Sequence, residues 1–558
     1  EPITIRPNAE NNSAWNGYCQ HGNILFPTWH RWYCLKLEQA LQRAVPDGDV
    51  MLLYWDQTSE ENLKSGMPPL LTQKIVTIDG VPGIENPLLS FKLPKEIPMP
   101  PAEHNADNRA QYYVKPRGYV TKRYPFSGIV NPPSAKEAAN RHNDQVGGNR
   151  KAPEVYLAEN IRYWLNVEAS KGNNILCEYR GCLDVCSYNQ FSNTTSAAGS
   201  NYNLEQPHND IHLAIGGFTM PFPQGDGSAT DEEGNVDHFG LMEGANGDMG
   251  EKKTAAFDPI FFVHHSNIDR IFWIWQKKWG YTTSIPLDEN KNDSGLTPVG
   301  QGPTPHQKIG ERLNFQTFLA PFKDEATGQK LTSEQCVDIR KLGYDYSVGS
   351  LDQYFWPNYP IRVPKRVDAC LSRMEPKLIR PENDALAPIA ISFDRVNSNK
   401  FLVVRNINKN GVAGSFVVQA FYRKDAKLYF IGQKGVLSRW NRQACGNCMT
   451  RPTTSVCFLI DDIVPHCENV CNIEVVIYGK DPETGRAKRT KITHMMPSFN
   501  EFGFEISVSP HEQSMGARYI SSAEPVRFHN SRGPTGQNSQ GFDRNSRNSR
   551  NTWRCQIL

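Results

Sequence analysis

The chain has 558 residues, with 61 lysines and arginines against 59 aspartates and glutamates, which gives a formal net charge of +2 at pH 7. This balance gives the chain no overall electrostatic preference for nucleic acid or an anionic membrane, and no apolar run is long enough to cross a bilayer. A small-molecule partner is therefore favoured. Because one hydrophobic core stops growing at roughly 250–300 residues, we expect at least two domains.

From the N-terminus to about residue 345, amphipathic helical patterns alternate with connections rich in proline and asparagine. In the segment 31–41, for example, apolar residues recur every three or four positions, which predicts a helix with one buried face. Histidines occur in three groups in this half, each surrounded by aromatic residues. The groups are His21 and His30, His208 and His212, and His264 and His265.

The spacing of the second group predicts a metal site. His208 and His212 would lie one turn apart on the same face of a helix, as two ligands of one ion require. A zinc protease is disfavoured because no glutamate follows the first histidine. Asp258 and Pro259 are suited to begin a helix that carries the third group among apolar residues, where imidazoles need partners. Several imidazoles without clustered carboxylates or thiolates favour copper.

A second region begins near residue 388, where the hydrophobic period changes to two. The preceding segment 359–366 is predicted to be an exposed linker, in which Lys365 and Arg366 are either a candidate cleavage site or a solvated basic pair. After about residue 516 the composition predicts a disordered basic tail. Seven short β-rich runs predict an antiparallel sandwich or barrel, at 390–393, 401–404, 416–421, 428–431, 457–460, 473–478 and 504–508.

Together these segments resemble a known family. His21 and the stretch 26–31 are similar to the first copper signature of tyrosinases, catechol oxidases and molluscan haemocyanins. The segments 208–212 and 258–270 resemble the second signature. Two further landmarks are similar: 54–56, and the tyrosine motif 344–346, which in the family faces an N-terminal arginine, here Arg6.

The resemblance covers roughly residues 1–346, and the β-rich region resembles the C-terminal shielding domain of fungal pro-tyrosinases. It implies a mainly α-helical catalytic domain, with a four-helix bundle that holds two copper ions, and an all-β sandwich or barrel behind it. The expected boundaries are 1–346 for the dicopper domain, 347–387 for the linker, 388–515 for the shielding domain and 516–558 for the tail.

The resemblance also implies roles for individual residues. Cys19 matches a cysteine that forms a thioether to the next ligand, here His21, although a small buried apolar role is the common alternative. The family has one more first-copper histidine upstream, and no histidine precedes His21. We expect a stretch between Arg6 and Trp15 to be missing rather than the site to be incomplete. The implied ligands are His21 and His30 for the first copper and His208, His212 and His265 for the second, with His264 behind them.

Glu205 and Asn209 resemble the pair that holds a water able to deprotonate a monophenol, although Glu205 alone would also suit a helix start. Cys445 and Cys448 resemble a copper-delivery pair, since soft thiolates favour Cu(I). A disulfide, or zinc with Cys457, His466, Cys467 or Cys471, is an alternative for that pair. One side chain of the shielding domain would fill the substrate position, and the candidates are Phe430, Leu437 and Trp440.

The expected function is that of a latent tyrosinase, which hydroxylates monophenols and oxidises o-diphenols to o-quinones with dioxygen. A catechol oxidase without monophenolase activity is one alternative. A haemocyanin-type dioxygen carrier is the other, and the absence of repeats disfavours it. Phenolic molecules and dioxygen are the expected partners, with a copper chaperone or an activating protease as further candidates. The sequence leaves the compartment open.

Overall fold

A computed structural model describes most of the first 493 residues, all within one compact unit that spans 1–509. No helix in the described part is both long and apolar enough to cross a membrane. The described residues are 18–45, 50–78, 80–98, 114–148, 152–166, 174–197, 202–216, 246–290, 293–297, 311–354, 390–396, 399–424, 427–439, 453–460, 473–480 and 487–493.

The N-terminal half is helical, as predicted. Its helices within the described ranges are α1 (Phe26–Ala44), α2 (Glu60–Ser65), α3 (Pro133–Gly147), α4 (Pro153–Leu165), α5 (Ile175–Asp184), α6 (Tyr188–Ser192), α7 (Thr194–Ala197), α8 (Glu205–Gly216) and α9 (Ile260–Trp279).

Local sequence explains where the longest helices begin and end. Pro27 occupies the first turn of α1, where a missing N–H costs no helical hydrogen bond. The side chain of Asp258 accepts a hydrogen bond from the Ile260 N–H, 3.0 Å away, at the start of α9. Gly280 ends α9 in the left-handed region, with φ of 76°, which glycine adopts without steric cost. Helix α1 therefore begins a few residues before the predicted segment 31–41, and α9 begins directly after Asp258 and Pro259, where its start was predicted.

The helical core is built around α9, which packs against α1, α5 and α8, while α4 packs against α8. A buried ion pair joins the first two helices, because Arg31 Nε of α1 lies 2.5 Å from Asp269 Oδ1 of α9. Tyr344 and Tyr346 donate hydrogen bonds to the other oxygen of Asp269, at 2.8 and 2.6 Å. The tyrosine motif therefore fastens this helix pair, and its expected partner Arg6 lies outside the described residues.

The strands within the described ranges fall into short hairpins and a C-terminal β region. They are β1 (Ile75–Ile78), β2 (Val81–Glu85), β3 (Phe318–Lys323), β4 (Lys330–Thr332), β5 (Ala390–Val396), β6 (Asn399–Asn408), β7 (Ala413–Lys424), β8 (Lys427–Val436), β9 (Thr453–Leu459), β10 (Ile473–Lys480) and β11 (Ala487–Thr493).

The C-terminal β region is an antiparallel sandwich of two sheets, with strand orders β5-β6-β9 and β11-β10-β7-β8. Six predicted runs coincide with β5 to β10, the seventh (504–508) lies outside the described residues, and β11 was not predicted. Alternate side chains of β7 and β10 point to opposite faces, as the period of two requires. Phe416, Val418 and Ile477 face the second sheet, whereas Val417, Phe421 and Val476 pack on the helical core.

The central strands β7 and β10 of the four-stranded sheet therefore have both faces buried, one of them against the helices. A helical core followed by an all-β region confirms the predicted fold class. The finer domain boundaries remain predictions.

Candidate dicopper site

The predicted histidines come together in one buried pocket between three helices. His21 lies on the turn before α1 and His30 on α1, while His208 and His212 lie on α8 and His265 on α9. We call His21 and His30 the first histidine set, and His208, His212 and His265 the second. All five side chains are buried, the most exposed at 6%.

The second histidine set has the geometry of a metal site. His265 Nε2 lies 3.2 Å from His208 Nε2 and 3.2 Å from His212 Nε2. Tetrahedral nitrogen ligands about 2.0 Å from an ion are about 3.3 Å apart, so an ion fits between these three atoms.

Hydrogen bonds on the far side of two rings fix where their protons lie. His212 Nδ1 is 2.8 Å from the Met249 carbonyl oxygen, which can only accept, so His212 carries its proton on Nδ1. His208 Nδ1 is 3.0 Å from Asn209 Oδ1 and donates to it. Both Nε2 lone pairs therefore point towards His265, as in a ligand set held by outer hydrogen bonds.

The first histidine set is accompanied by a thiol. His30 Nδ1 donates to the Phe26 carbonyl oxygen at 2.8 Å, which leaves its Nε2 lone pair directed inwards. Cys19 Sγ lies 3.3 Å from His30 Nε2 and 3.4 Å from His21 Nδ1. The sulfur is close enough to His21 to be consistent with the expected thioether, which remains a prediction.

The two sets adjoin each other. The ring centroids of His30 and His265 are 4.5 Å apart in a stacked pair, and those of His21 and His208 are 5.5 Å apart. Phe26 contacts the rings of His30 and His208, while Phe261 lies 4.1 Å from the ring of His265. Two ions, one at each set, would therefore be neighbours in a space walled by aromatic rings.

Burial keeps these imidazoles neutral. It lowers the pKa of His30 to about 3 and of His212 to about 4, against the opposing effect of their backbone hydrogen bonds. It also lowers the pKa values of His21, His208 and His265 well below the usual range. Neutral imidazole is the form that binds a metal, so the electrostatics of the pocket suit ligation.

His264 differs from its neighbour His265. Its Nδ1 accepts a hydrogen bond from the Gln57 side-chain amide at 2.9 Å, and Gln57 is held in turn by the hydroxyl of Tyr179. An acceptor at Nδ1 places the proton of this ring on Nε2, which then has no lone pair for an ion. The arrangement is consistent with the expected position of His264 behind the ligands.

Glu205 and Asn209 both lie on α8, Glu205 against the turn that carries His21 and Asn209 against His208. The Glu205 carboxylate accepts hydrogen bonds from the Gly22 N–H at 2.9 Å and from the N–H and hydroxyl of Thr194, each at 3.0 Å. Burial raises its pKa, although these hydrogen bonds lower it in part. The Asn209 oxygen is engaged by His208. The water-holding role of this pair remains a prediction.

The other predicted site residues belong to the C-terminal β region or lie outside the described part. Phe430 is half-buried, with its ring 5.5 Å from that of Phe421, and Leu437 is buried where the sheet meets the helices. Neither is assigned as the residue that fills the substrate position. Outside the described residues lie Trp440, the cysteine pair Cys445 and Cys448, the zinc alternatives at 466, 467 and 471, and the basic pair Lys365 and Arg366.

Sequence reasoning missed several groups that orient the ligands. The carbonyl oxygens of Phe26 and Met249 act through the backbone, for which side-chain patterns carry no signal. Gln57 follows the 54–56 landmark directly, and that position was the available signal. Residues 171–200, which the sequence left unexplained, supply α5 to α7 and with them Thr194, the partner of Glu205.

Helices that bury two adjoining sets of neutral imidazoles define a class of metalloprotein with a paired metal centre. Comparison with known proteins identifies the family. Residues 3–278 match the model of the tyrosinase family, which is described as the common central domain of tyrosinase.

Curated relatives extend the match over the β region. Tyrosinase HcTyr2 of Hahella sp. (strain CCB-MM4) is 37% identical over 534 residues, which cover 89% of this chain and 86% of the relative. A tyrosinase of Aspergillus oryzae is 34% identical over 483 residues, 80% of this chain and 78% of the relative.

Among solved structures, a tyrosinase from Burkholderia thailandensis at low pH superposes with a TM-score of 0.64 at 37% identity, covering 83% of this chain and 81% of the other. The chain belongs to the tyrosinase family. Members are type 3 dicopper oxidases, so the chain is a copper-dependent oxidase, and the buried histidine cluster fits its copper centre.

Proposed function

We propose that the protein is a latent tyrosinase, which hydroxylates monophenols at the ortho position and oxidises o-diphenols to o-quinones. The observation that carries the proposal is the convergence of the second set, in which His265 Nε2 lies 3.2 Å from the Nε2 atoms of both His208 and His212, beside the first set. Relatives named tyrosinases along most of the chain support it.

In this proposal His208, His212 and His265 hold one copper, and His21 and His30 hold the other with a third donor that is not assigned. The copper pair supplies binding and activation of dioxygen. The donor set fits, because imidazole nitrogens in a buried pocket suit copper, and Cys19 is the only cysteine grouped with these histidines in the described residues.

The chain's own residues shape the phenol site. Phe26 and Phe261 border the imidazoles and keep bulk water from the ring of a bound phenol. Glu205 and Asn209 would hold a water that takes the phenolic proton, which is general-base chemistry suited to a carboxylate whose pKa burial raises. The Glu205 carboxylate already accepts hydrogen bonds from Gly22 and Thr194, which compete with a water for its oxygens. These contacts favour the competing candidate, a catechol oxidase without monophenolase activity.

Latency is proposed to arise from the C-terminal β region. Strand β8 lies on α8, where the Gly435 N–H donates to Asp210 Oδ1 at 2.5 Å, between the two ligands His208 and His212. Lys434 Nζ is 2.6 Å from Glu178 Oε1 and 3.9 Å from Asp210 Oδ2, with Lys434 and Asp210 buried and Glu178 partly buried. The sheet therefore covers the helix that carries two ligands.

Quinone formation tests the proposal. The copper-loaded full chain should oxidise an o-diphenol and a monophenol slowly, and limited proteolysis should increase both rates. A rise with diphenol alone would replace the tyrosinase proposal by catechol oxidase. If activity were equal before and after proteolysis, the β region would not be inhibitory, and neither a protease nor displacement would be needed for activation.

A further inference from the structure

A short turn outside the histidine-bearing helices supports one ligand of the second set. It is the single-turn 3₁₀ helix Asp248–Gly250, whose Met249 carbonyl oxygen lies 2.8 Å from His212 Nδ1. The turn lies directly against the end of α8, since a Cβ atom on Gly216 would fall 1.9 Å from the Gly250 nitrogen. The position of this turn therefore determines where the carbonyl points.

The turn is anchored through the side chain of Asp248. Its Oδ2 accepts a hydrogen bond from the Tyr119 hydroxyl at 2.6 Å and another from the Lys122 N–H at 2.7 Å. Lys115 Nζ lies 3.5 Å from Oδ1 and also bonds the Gly128 carbonyl oxygen. The carboxylate is fully buried, and Lys115 is its cationic partner.

Backbone hydrogen bonds join the same two segments. The Asp248 N–H donates to the Lys122 carbonyl oxygen at 2.7 Å, and the Tyr124 N–H donates to the Ile215 carbonyl oxygen of α8 at 2.9 Å. The segment 115–124 is thus bonded both to the turn and to the ligand helix. Asp248 is the charged group within this connection, and a buried carboxylate that loses its cation or its donors is costly.

We infer that Asp248 is a positioning residue for the second copper ligand set: by anchoring the turn, it holds the Met249 carbonyl that fixes the proton and ring direction of His212. The inference rests on the proposed role of His212 as a ligand. Outer partners of metal-binding histidines typically change metal affinity by 10–100-fold when removed, although here the effect passes through a carbonyl.

The test measures copper retention by the full-length protein rather than activity. Asp248→Asn keeps the shape of the side chain and removes its charge, so copper retention against a competing chelator should fall about tenfold or more for one of the two ions. Tyr119→Phe removes a single donor and should shift retention in the same direction by less. Lys115→Met should resemble Asp248→Asn, whereas Lys115→Arg should restore retention.

A matched control separates positioning from folding. Asp338 is a buried aspartate that accepts from Arg340 at 2.8 Å, and neither residue belongs to the histidine cluster, so Asp338→Asn should leave copper retention unchanged. Thermal unfolding of each metal-free variant shows whether it is folded. Folded Asp248→Asn and Tyr119→Phe proteins that both retain two coppers like the wild type would overturn the inference and leave the proposed function intact. A wild type that binds no copper would instead overturn the proposed function.

Discussion

Neutral imidazoles make the pocket ready to bind copper over a wide pH range. Copper and protons compete for the same lone pairs, so a histidine with the ordinary pKa of about 6.5 loses affinity for metal as the pH falls below that value. Burial lowers the pKa of His212 to about 4 and of His30 to about 3. Protonation therefore competes with copper only at much lower pH.

Copper retention against a chelator of known pH dependence should thus be nearly constant from neutral pH down to about 5, and should fall steeply near pH 4. Equilibrium dialysis with copper quantification measures this. A decline that begins at pH 6.5, as for exposed imidazoles, would show that the pocket does not depress the proton affinity of these rings.

Glu205 is the residue on which the balance of the two activities is proposed to depend. Glu205→Gln keeps hydrogen-bonding capacity but removes the base, so turnover of a monophenol should fall about 100-fold or more while turnover of an o-diphenol changes far less. Steady-state rates with both substrates give the ratio.

The matched control is Glu474→Gln, a change at a buried glutamate on β10 that is paired with Arg423 and belongs to the sheet. It should leave the ratio of the two rates unchanged. Equal losses of both activities in Glu205→Gln would contradict the proposed base and would indicate a structural role through Gly22 and Thr194.

At the scale of elements, the contact between β8 and α8 combines charge and backbone hydrogen bonds. Gly435 approaches α8 so closely that a Cβ atom there would lie 3.1 Å from Asp210 Oδ1. Lys434 bridges acidic residues of α5 and α8 across the same surface. Burial raises the pKa of Asp210 to about 7 against the lowering effect of Lys434, so the cation favours the charged form of Asp210.

Lys434→Met should weaken this docking. Removing one partner of a buried ion pair costs on the order of 3–5 kcal/mol, and 1.4 kcal/mol corresponds to tenfold, so the undocked fraction should rise at least tenfold. Diphenol oxidation before proteolysis should increase accordingly, whereas activity after proteolysis should match the wild type.

Arg423→Met is the control, because it breaks an ion pair within the sheet and away from α8, where the exposed Arg423 lies 2.8 Å from the buried Glu474. It should lower the thermal stability of the β region without raising activity before proteolysis. If both variants raised activity alike, general loosening rather than the contact with α8 would explain latency.

At the scale of the whole molecule, the hydrophobic periods of the sequence predicted the individual helices and strands better than they predicted how these elements pack together. The three-to-four residue period in 31–41 predicted α1, and the period of two predicted β5 to β10. The same patterns could not show that one sheet face packs on the helices, because an apolar alternate face looks the same whether it meets a sheet or a helix.

The sequence could predict those parts of the candidate site that consist of ligand side chains. Spacing placed His208 and His212 on one face of α8, and the resemblance named His21, His30 and His265. The Met249 carbonyl lies 37 residues after His212 and meets it only because the chain folds, as does the anchor Asp248 beside it, while Thr194 reaches Glu205 from a separate helix. Backbone acceptors and distant outer contacts leave no local signal.

The proposed activity requires two copper ions, one held by each histidine set. Diffraction from the copper-loaded protein, measured on both sides of the copper absorption edge, tests this directly. Two anomalous peaks are expected, one among the Nε2 atoms of His208, His212 and His265 and one beside His21 and His30. A single peak, or a zinc signal in place of copper at these positions, would contradict the account.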